Sequence, residues 1–253
     1  MMKCIFITGT DTDSGKTLAS ALIINSLHSK GLLTLGFKPI ASGAQVVKGH
    51  SVNEDAIKLA QASSLKAPYS LTNPYCFAPA IAPHVAAQQA GCQIQIADIR
   101  AHLNALDEWA SNQTGENPII VVEGAGGWAV PLSQTQTLSE LALTERMPII
   151  LVVAMKLGCI NHAMLSAQVI QAQGGQLIGW IANQTTRTEM ANYADSLAYL
   201  TEHLGCPLLA EVPFIVDPDE RDKWQLPNHT VERIATAIGC NLNSPATDTY
   251  ANA

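Results

Sequence analysis

Thr8-Gly9-Thr10-Asp11-Thr12-Asp13-Ser14-Gly15-Lys16-Thr17 follows directly on an apolar run, Cys4 to Thr8, and opens directly into an apolar pattern of helical spacing. Strand, glycine-bearing loop and helix in that order are the setting of a P-loop. Backbone N–H groups of such a loop converge on phosphate oxygens, and the helix N-terminus adds partial positive charge. Lys16 is placed to reach the β- and γ-phosphates of a nucleotide as a point charge, and the Thr17 hydroxyl to bind a magnesium ion. Five residues separate Gly9 from Gly15, so Thr10 takes the place of the first glycine in the usual four-residue spacing. An ordinary turn is the plainer reading of this stretch.

A P-loop needs acidic partners for its metal. The run Pro118 to Glu123 brings a carboxylate to the end of an apolar strand, ahead of Gly124-Ala125-Gly126-Gly127. Ligands of open α/β sheets bind beside such strand ends, so Glu123 is placed to meet magnesium directly or through water. Its plainer role is to cap the next turn. Asp55, in Asn53-Glu54-Asp55, reads equally as a second metal carboxylate or as an acid favoured by the dipole of the helix it starts. Lys38 leaves the second strand ahead of Pro39 and the small residues Ala41-Ser42-Gly43, an arrangement that suits contact with an anion or an ordinary solvated lysine.

Lys156-Leu157-Gly158-Cys159-Ile160-Asn161 follows another apolar run and precedes a helix, where its N–H groups could form a second anion nest. A helix N-terminus lowers a thiol pKa, but no other group here calls for a thiolate, so Cys159 reads as a packing or backbone residue. The histidines lack metal-ligand spacing.

The elements that must hold these residues are legible as runs. Six short, nearly continuous apolar stretches (3–8, 33–38, 118–123, 148–154, 176–183 and 207–212) alternate with helical patterns at 16–30, 54–63, 95–111, 137–146, 161–173 and 189–204. Continuous rather than alternating apolar strands are those covered on both faces. The order predicts an α/β fold: a doubly wound, mostly parallel sheet in three layers, P-loop NTPase-like, as one domain over 1–242. The stretch 64–94, with Pro68, Pro74, Pro79 and Pro83, reads as a long surface excursion, and 243–253 as a flexible tail.

Composition narrows the classes further. The chain has 253 residues, 47% of them hydrophobic and 14% charged, with a net charge of −7. That excludes disorder, collagen-like repeats and coiled coil. The acidic balance argues against nucleic acid as a partner, because phosphate backbones select basic footprints. No apolar stretch approaches the ~20 residues that span a bilayer. Six cysteines spread singly read as thiols of a reducing cytoplasm rather than as a disulfide scaffold.

Taken in order, GTDTDSGKT, KPIASG, NED, VEGAGGW with Pro131-Leu132, KLGCINHA, WIAN and EVPF resemble the dethiobiotin synthetase family over roughly residues 1–220. The resemblance implies an ATP-dependent cyclo-ligase of biotin synthesis, cytoplasmic and homodimeric. It joins CO₂ to 7,8-diaminopelargonic acid with Mg-ATP, through a carbamate and a carbamic–phosphoric anhydride. It implies that Asp13, Ser14, Gly15, Lys16, Thr17 and Leu18 hold the ATP phosphates, with Lys38 and Lys16 catalytic. Thr17, Asp55 and Glu123 would hold magnesium, and Glu123 with Gly124, Ala125 and Gly126 would touch nucleotide or metal. Asn183, Gln184, Pro213, Phe214, Ile215 and Glu220 would surround the adenine. Thr12 and Ser42 would contact substrate, while Cys159 and Asn161 would lie at the dimer interface and receive the substrate carboxylate from the partner subunit. Asp13 stands where the family commonly has Glu, Gln184 where it commonly has Asp, and Gly115-Glu116-Asn117 forms a small insertion.

Two other classes compete. An ATP-gated switch of the partitioning type often carries a second lysine early in its loop, and here that place is Asp11. A cobyrinic acid amidating ligase carries an additional glutamine-hydrolysing domain, for which this chain has no room.

Overall fold

The computed structural model describes residues 2–47, 49–217, 224–240 and 242. In chain order the elements are β1 (Lys3–Gly9), α1 (Lys16–His28), β2 (Thr34–Phe37), β3 (Ile40–Ser42), β4 (Gln45–Val47), β5 (His50–Val52) and α2 (Glu54–Ala62). There follow α3 (Tyr69–Thr72), β6 (Tyr75–Phe77), α4 (Pro83–Gln89), α5 (Ile96–Thr114), β7 (Ile119–Glu123) and α6 (Ser139–Thr144). The chain continues through β8 (Pro148–Ala154), α7 (Cys159–Ala172), β9 (Gln176–Asn183), α8 (Tyr193–His203), β10 (Leu208–Val212) and α9 (Asn228–Ala237).

All six apolar runs become strands of one parallel sheet in the order β10-β9-β8-β1-β7-β2. Successive strand side chains point to opposite faces, and β1 divides accordingly. Ile5 and Ile7 join Leu22, Ile23 and Leu27 of α1 and Val231 and Ile234 of α9 on one face. Phe6 joins Ile99, Leu103 and Leu106 of α5 on the other. Leu151 and Val153 of β8 pack with Ala163 of α7 and Leu200 of α8 on that second side. Each fully buried Leu, Ile or Phe in these clusters contributes about 1.5–3 kcal/mol relative to exposure. The predicted three-layer, doubly wound architecture is the one observed. Because β7 and β8 flank β1 on opposite sides, the strand order turns at β1, and ligands of such sheets bind outside the carboxyl ends at that point.

The segment 64–94 departs from its reading as a surface excursion. It carries α3, β6 and α4, and it buries Phe77, Ala86, Ala87 and Ile94 in the same cluster as Leu35 and Phe37. β6 pairs in parallel with β3, Ile40 opposite Tyr75 and Ser42 opposite Phe77. The prolines begin elements rather than preventing them: Pro68 is the N-cap of α3 and Pro83 the first residue of α4, where a missing N–H costs nothing. Short pieces built from local turns leave no periodicity to read. α9 and the β4–β5 hairpin add to the elements expected from the sequence pattern. Gly115 closes α5, in the left-handed region at φ 76°. The expected tail 243–253 lies outside the described residues, and among those described no helix is long and apolar enough to cross a membrane.

Candidate active site at the carboxyl ends of the strands

The loop after β1 is shaped by two glycines. A Cβ on Gly9 would stand 2.2 Å from Ser14 Oγ, so the glycine just ahead of the usual position is the one that lets the loop fold back on itself. Gly15 is the N-cap of α1 at φ 89°, and a Cβ there would meet Asn183 Nδ2 at 1.9 Å. That same Nδ2 donates to Ser14 O at 2.9 Å, which ties the loop to the end of β9. Thr10 N donates to Val152 O at 3.0 Å and fixes the loop to β8. Lys16 is buried, and its Nζ donates back to Asp11 O at 2.9 Å. Burial, and after it the charge of Lys38, brings the Lys16 ammonium down to about 8.

Behind the loop lies a buried polar cluster. Lys38 Nζ is 2.5 Å from Glu123 Oε1, 3.2 Å from Asp55 Oδ2 and 3.4 Å from Gly124 O. Thr17 Oγ1 donates to the same Glu123 Oε1 at 2.9 Å. Burial alone would lower the Lys38 ammonium, but the Glu123 and Asp55 carboxylates outweigh it and hold the pKa above the ordinary lysine value. Asp55 is pushed up by its own burial and pulled down further by Lys38, and it ends below the ordinary carboxylate value. Lys38 is therefore a fixed cation, not a proton acceptor. Glu123 Oε2 and Ser14 Oγ are buried and have no hydrogen-bond partner among the described residues, and buried polar atoms of that kind cost free energy unless a ligand meets them.

The cluster is braced by the segment misread from sequence. Lys38 N donates to Thr72 O at 2.8 Å, and Asn73 Nδ2 donates to Lys38 O at 2.7 Å. Asn53 is the N-cap of α2, its Oδ1 accepting from Asp55 N and Ala56 N. The Asn53 N–H donates to Tyr69 Oη, whose own proton goes to Asn73 Oδ1. Asn53 thus does the capping, and Asp55 is left to turn toward Lys38.

Beside Lys38 opens a cavity of about 440 Å³, lined in part by Thr12, Ser42, Asp55, Ala125 and Gly126. Ser42 Oγ is buried and has no hydrogen-bond partner among the described residues. At the other side of the loop, Asn183 ends β9 opposite Val212 of β10, and Pro213, Phe214 and Ile215 continue from there.

A family model described as AAA domain matches residues 3–221. The ATP-dependent dethiobiotin synthetase of Escherichia coli is 42% identical over 220 residues, covering 87% of this chain and 94% of that one. Its namesake from Pseudoalteromonas translucida is 42% identical over 235 residues, covering 92% and 99%. This chain is a member of the dethiobiotin synthetase family. Among solved structures, the MinC:MinD cell division complex of Aquifex aeolicus (TM-score 0.54, 12% identity, 94% of this chain and 97% of that one) shares the fold alone. So does a ParA family ATPase of Chlorobium tepidum (TM-score 0.51, 10% identity, 96% and 95%).

The structure brings many of the expected site residues together around the phosphate loop. Ser14, Gly15, Lys16 and Thr17 form the loop and first turn, with Asp13 exposed at φ 58° and Leu18 packed partly into the core. Gly124 follows Glu123 and donates its N–H to Ile7 O at 2.9 Å. Gln184 lies beside Asn183, but its Nε2 is turned onto Thr186 O at 3.1 Å. Glu220 lies outside the described residues. Cys159 and Asn161 do not line the cavity: the Cys159 side chain is packed against Leu151 and Ala163, and burial raises its thiol, which agrees with a packing role. The Asp11–Lys156 pair and the bracing residues Asn53, Tyr69 and Asn73 went unread from sequence. The Asn-Glu-Asp helix start could have shown Asn53 as the cap, whereas the others depend on tertiary contacts.

The donor set also fits magnesium. Thr17, Asp55 and Glu123 offer hard oxygens, and Glu123 Oε2 is a buried acceptor with no partner among the described residues. Among the described residues no three His, Cys, Asp or Glu gather into a closed cage. Magnesium typically takes one or two carboxylates and completes its shell with water and substrate phosphate.

Proposed function

We propose that this chain closes 7,8-diaminopelargonic acid with CO₂ to dethiobiotin, consuming ATP and releasing ADP and phosphate. It would do so as a cytoplasmic homodimer of one domain per chain. The observation that carries the reading is the convergence of two buried ammonium groups, Lys16 and Lys38, with Thr17, Asp55 and Glu123 beside the cavity that Ser42 lines.

The substrate amine must be neutral to attack CO₂, although a free alkylamine has a pKa near that of lysine, about 10.4. The Lys16 and Lys38 ammoniums nearby disfavour a third cation, so the substrate ammonium gives a proton to solvent. The neutral nitrogen attacks the carbon of CO₂, a second proton leaves to solvent, and Lys38 holds the resulting carbamate anion. A carbamate oxygen then attacks the γ-phosphorus and ADP leaves, giving the carbamic–phosphoric anhydride. The second amine attacks the carbonyl carbon, phosphate departs, and the five-membered urea closes. Lys16 and the loop N–H groups neutralise charge on the transferred phosphoryl group. Magnesium, held by Thr17, Asp55 and Glu123, would supply further charge neutralisation on the phosphate oxygens. The chain's main contribution is orientation, which can supply roughly 7–11 kcal/mol of a barrier at best. Ser42 and Thr12 would orient the diamine, and Asn183 with the 213–215 turn would hold the base.

The reading is tested by measuring ADP release with and without the diamine. Release that requires the diamine supports it, and release that ignores the diamine contradicts it.

A further inference from the structure

Asp11 stands at the crown of the phosphate loop, and three contacts meet on it. Its backbone O accepts the Lys16 Nζ at 2.9 Å. Its Oδ1 accepts the N–H of Thr12 at 2.8 Å, which fixes the backbone of the residue lining the substrate cavity. Its Oδ2 pairs at 3.3 Å with Nζ of Lys156, 145 residues away in the β8–α7 connection. Lys156 is itself anchored, since its backbone N donates to Ala154 O and its O accepts from Cys159 N, the first residue of α7.

We propose that Asp11 and Lys156 are a positioning pair: Lys156 holds the Asp11 carboxylate, and Asp11 in turn sets the crown of the loop from which Lys16 is presented to the β- and γ-phosphates. The pair makes the loop's geometry depend on the start of α7, an element that lies outside the loop and across the sheet's switch point. It rests on the proposed nucleotide site but not on the identity of the product.

The pair is half-exposed on both sides. Exposed ion pairs are worth about 0.2–1 kcal/mol, equivalent to at most about a fivefold change in an equilibrium. Stability should hardly notice the pair, so its effect belongs in the affinity for nucleotide phosphates. The alternative is that both residues act only as point charges near the phosphates. The two accounts predict opposite signs. As plain charges, Asp11→Asn removes a repulsion and tightens ATP, while Lys156→Gln removes an attraction and weakens it. As a positioning pair, both substitutions weaken it.

The test is the dissociation constant of Mg-ATP, measured by calorimetry on the full chain for wild type, D11N, K156Q, K156R and D11N/K156Q. AMP serves as the control, because it lacks the phosphates that Lys16 reaches. The expected result is a weakening of Mg-ATP by about three- to fivefold in each of D11N and K156Q. The double variant should be no worse than the weaker single, K156R should stay within about twofold of wild type, and AMP affinity and thermal midpoint should be unchanged. Opposite signs for D11N and K156Q would overturn the proposal, as would multiplying effects in the double variant or equal losses for AMP. Because the readout is binding, the result stands whether or not dethiobiotin is the product.

Discussion

Lys38 Nζ and Glu123 Oε1 lie 2.5 Å apart, with the side chains 6% and 0% exposed, at the meeting point of β2, β7 and the phosphate loop. Taking two charges out of water is costly, and removing one member of a buried pair leaves the other uncompensated.

Lys38→Gln keeps a hydrogen-bond donor and removes the charge. It should lower kcat by about 10²–10³-fold, the scale of losing one preorganised electrostatic contact, while the Kd for Mg-ATP stays within about fivefold. Steady-state turnover beside calorimetric titration separates the two. Near-normal turnover in this variant would remove Lys38 from the mechanism.

Glu123→Gln tests the metal. The amide is a weaker oxygen donor, and its N–H₂ cannot accept from Thr17. The magnesium concentration that gives half-maximal ADP release should rise by about tenfold or more, the range seen when a supporting metal contact is lost. An unchanged magnesium dependence would count against ligation.

The pH dependence follows from Lys16. Burial and the Lys38 charge hold its pKa at about 8, below the ordinary lysine value of 10.5. Its cationic form predominates below that value and is the form that meets phosphate. Mg-ATP affinity should therefore be at its full value below pH 8 and fall as the pH rises through 8. Bound phosphate also favours the charged form, so binding at pH 8.5 should take up protons. Calorimetry in two buffers of different ionisation enthalpy reads that uptake, and equal heats in both would contradict it.

Tyr69→Phe probes the bracing segment. It takes away the acceptor for the Asn53 N–H and the donor to Asn73 Oδ1. An unmet buried polar group costs about 1–3 kcal/mol, and at this chain length each kcal/mol lowers the thermal midpoint by roughly 2–4 °C. A midpoint within 1 °C of wild type would show that water replaces the hydroxyl without cost.

The layers of the fold were legible because β1, β7, β8 and β9 are buried on both faces, and burial on both faces writes continuous Val, Ile and Leu into the sequence. Lys16, Thr17 and Glu123 were legible because strand–loop–helix order places them. Asp55 was ambiguous because an acid at a helix start satisfies the dipole wherever its side chain turns, and its contact with Lys38 depends on tertiary packing. The 64–94 segment was misread because three- to seven-residue elements carry no period, and its use to the site runs through single hydrogen bonds from Tyr69 and Asn73. Asp11 and Lys156 are 145 residues apart, and nothing local to either marks the other.

The most direct test is isotopic. The protein with Mg-ATP, ¹³C-bicarbonate and 7,8-diaminopelargonic acid should yield dethiobiotin one mass unit heavier, with one ADP per product, and the product should vanish when either diamine or bicarbonate is withheld. ADP release with no labelled dethiobiotin would contradict the account.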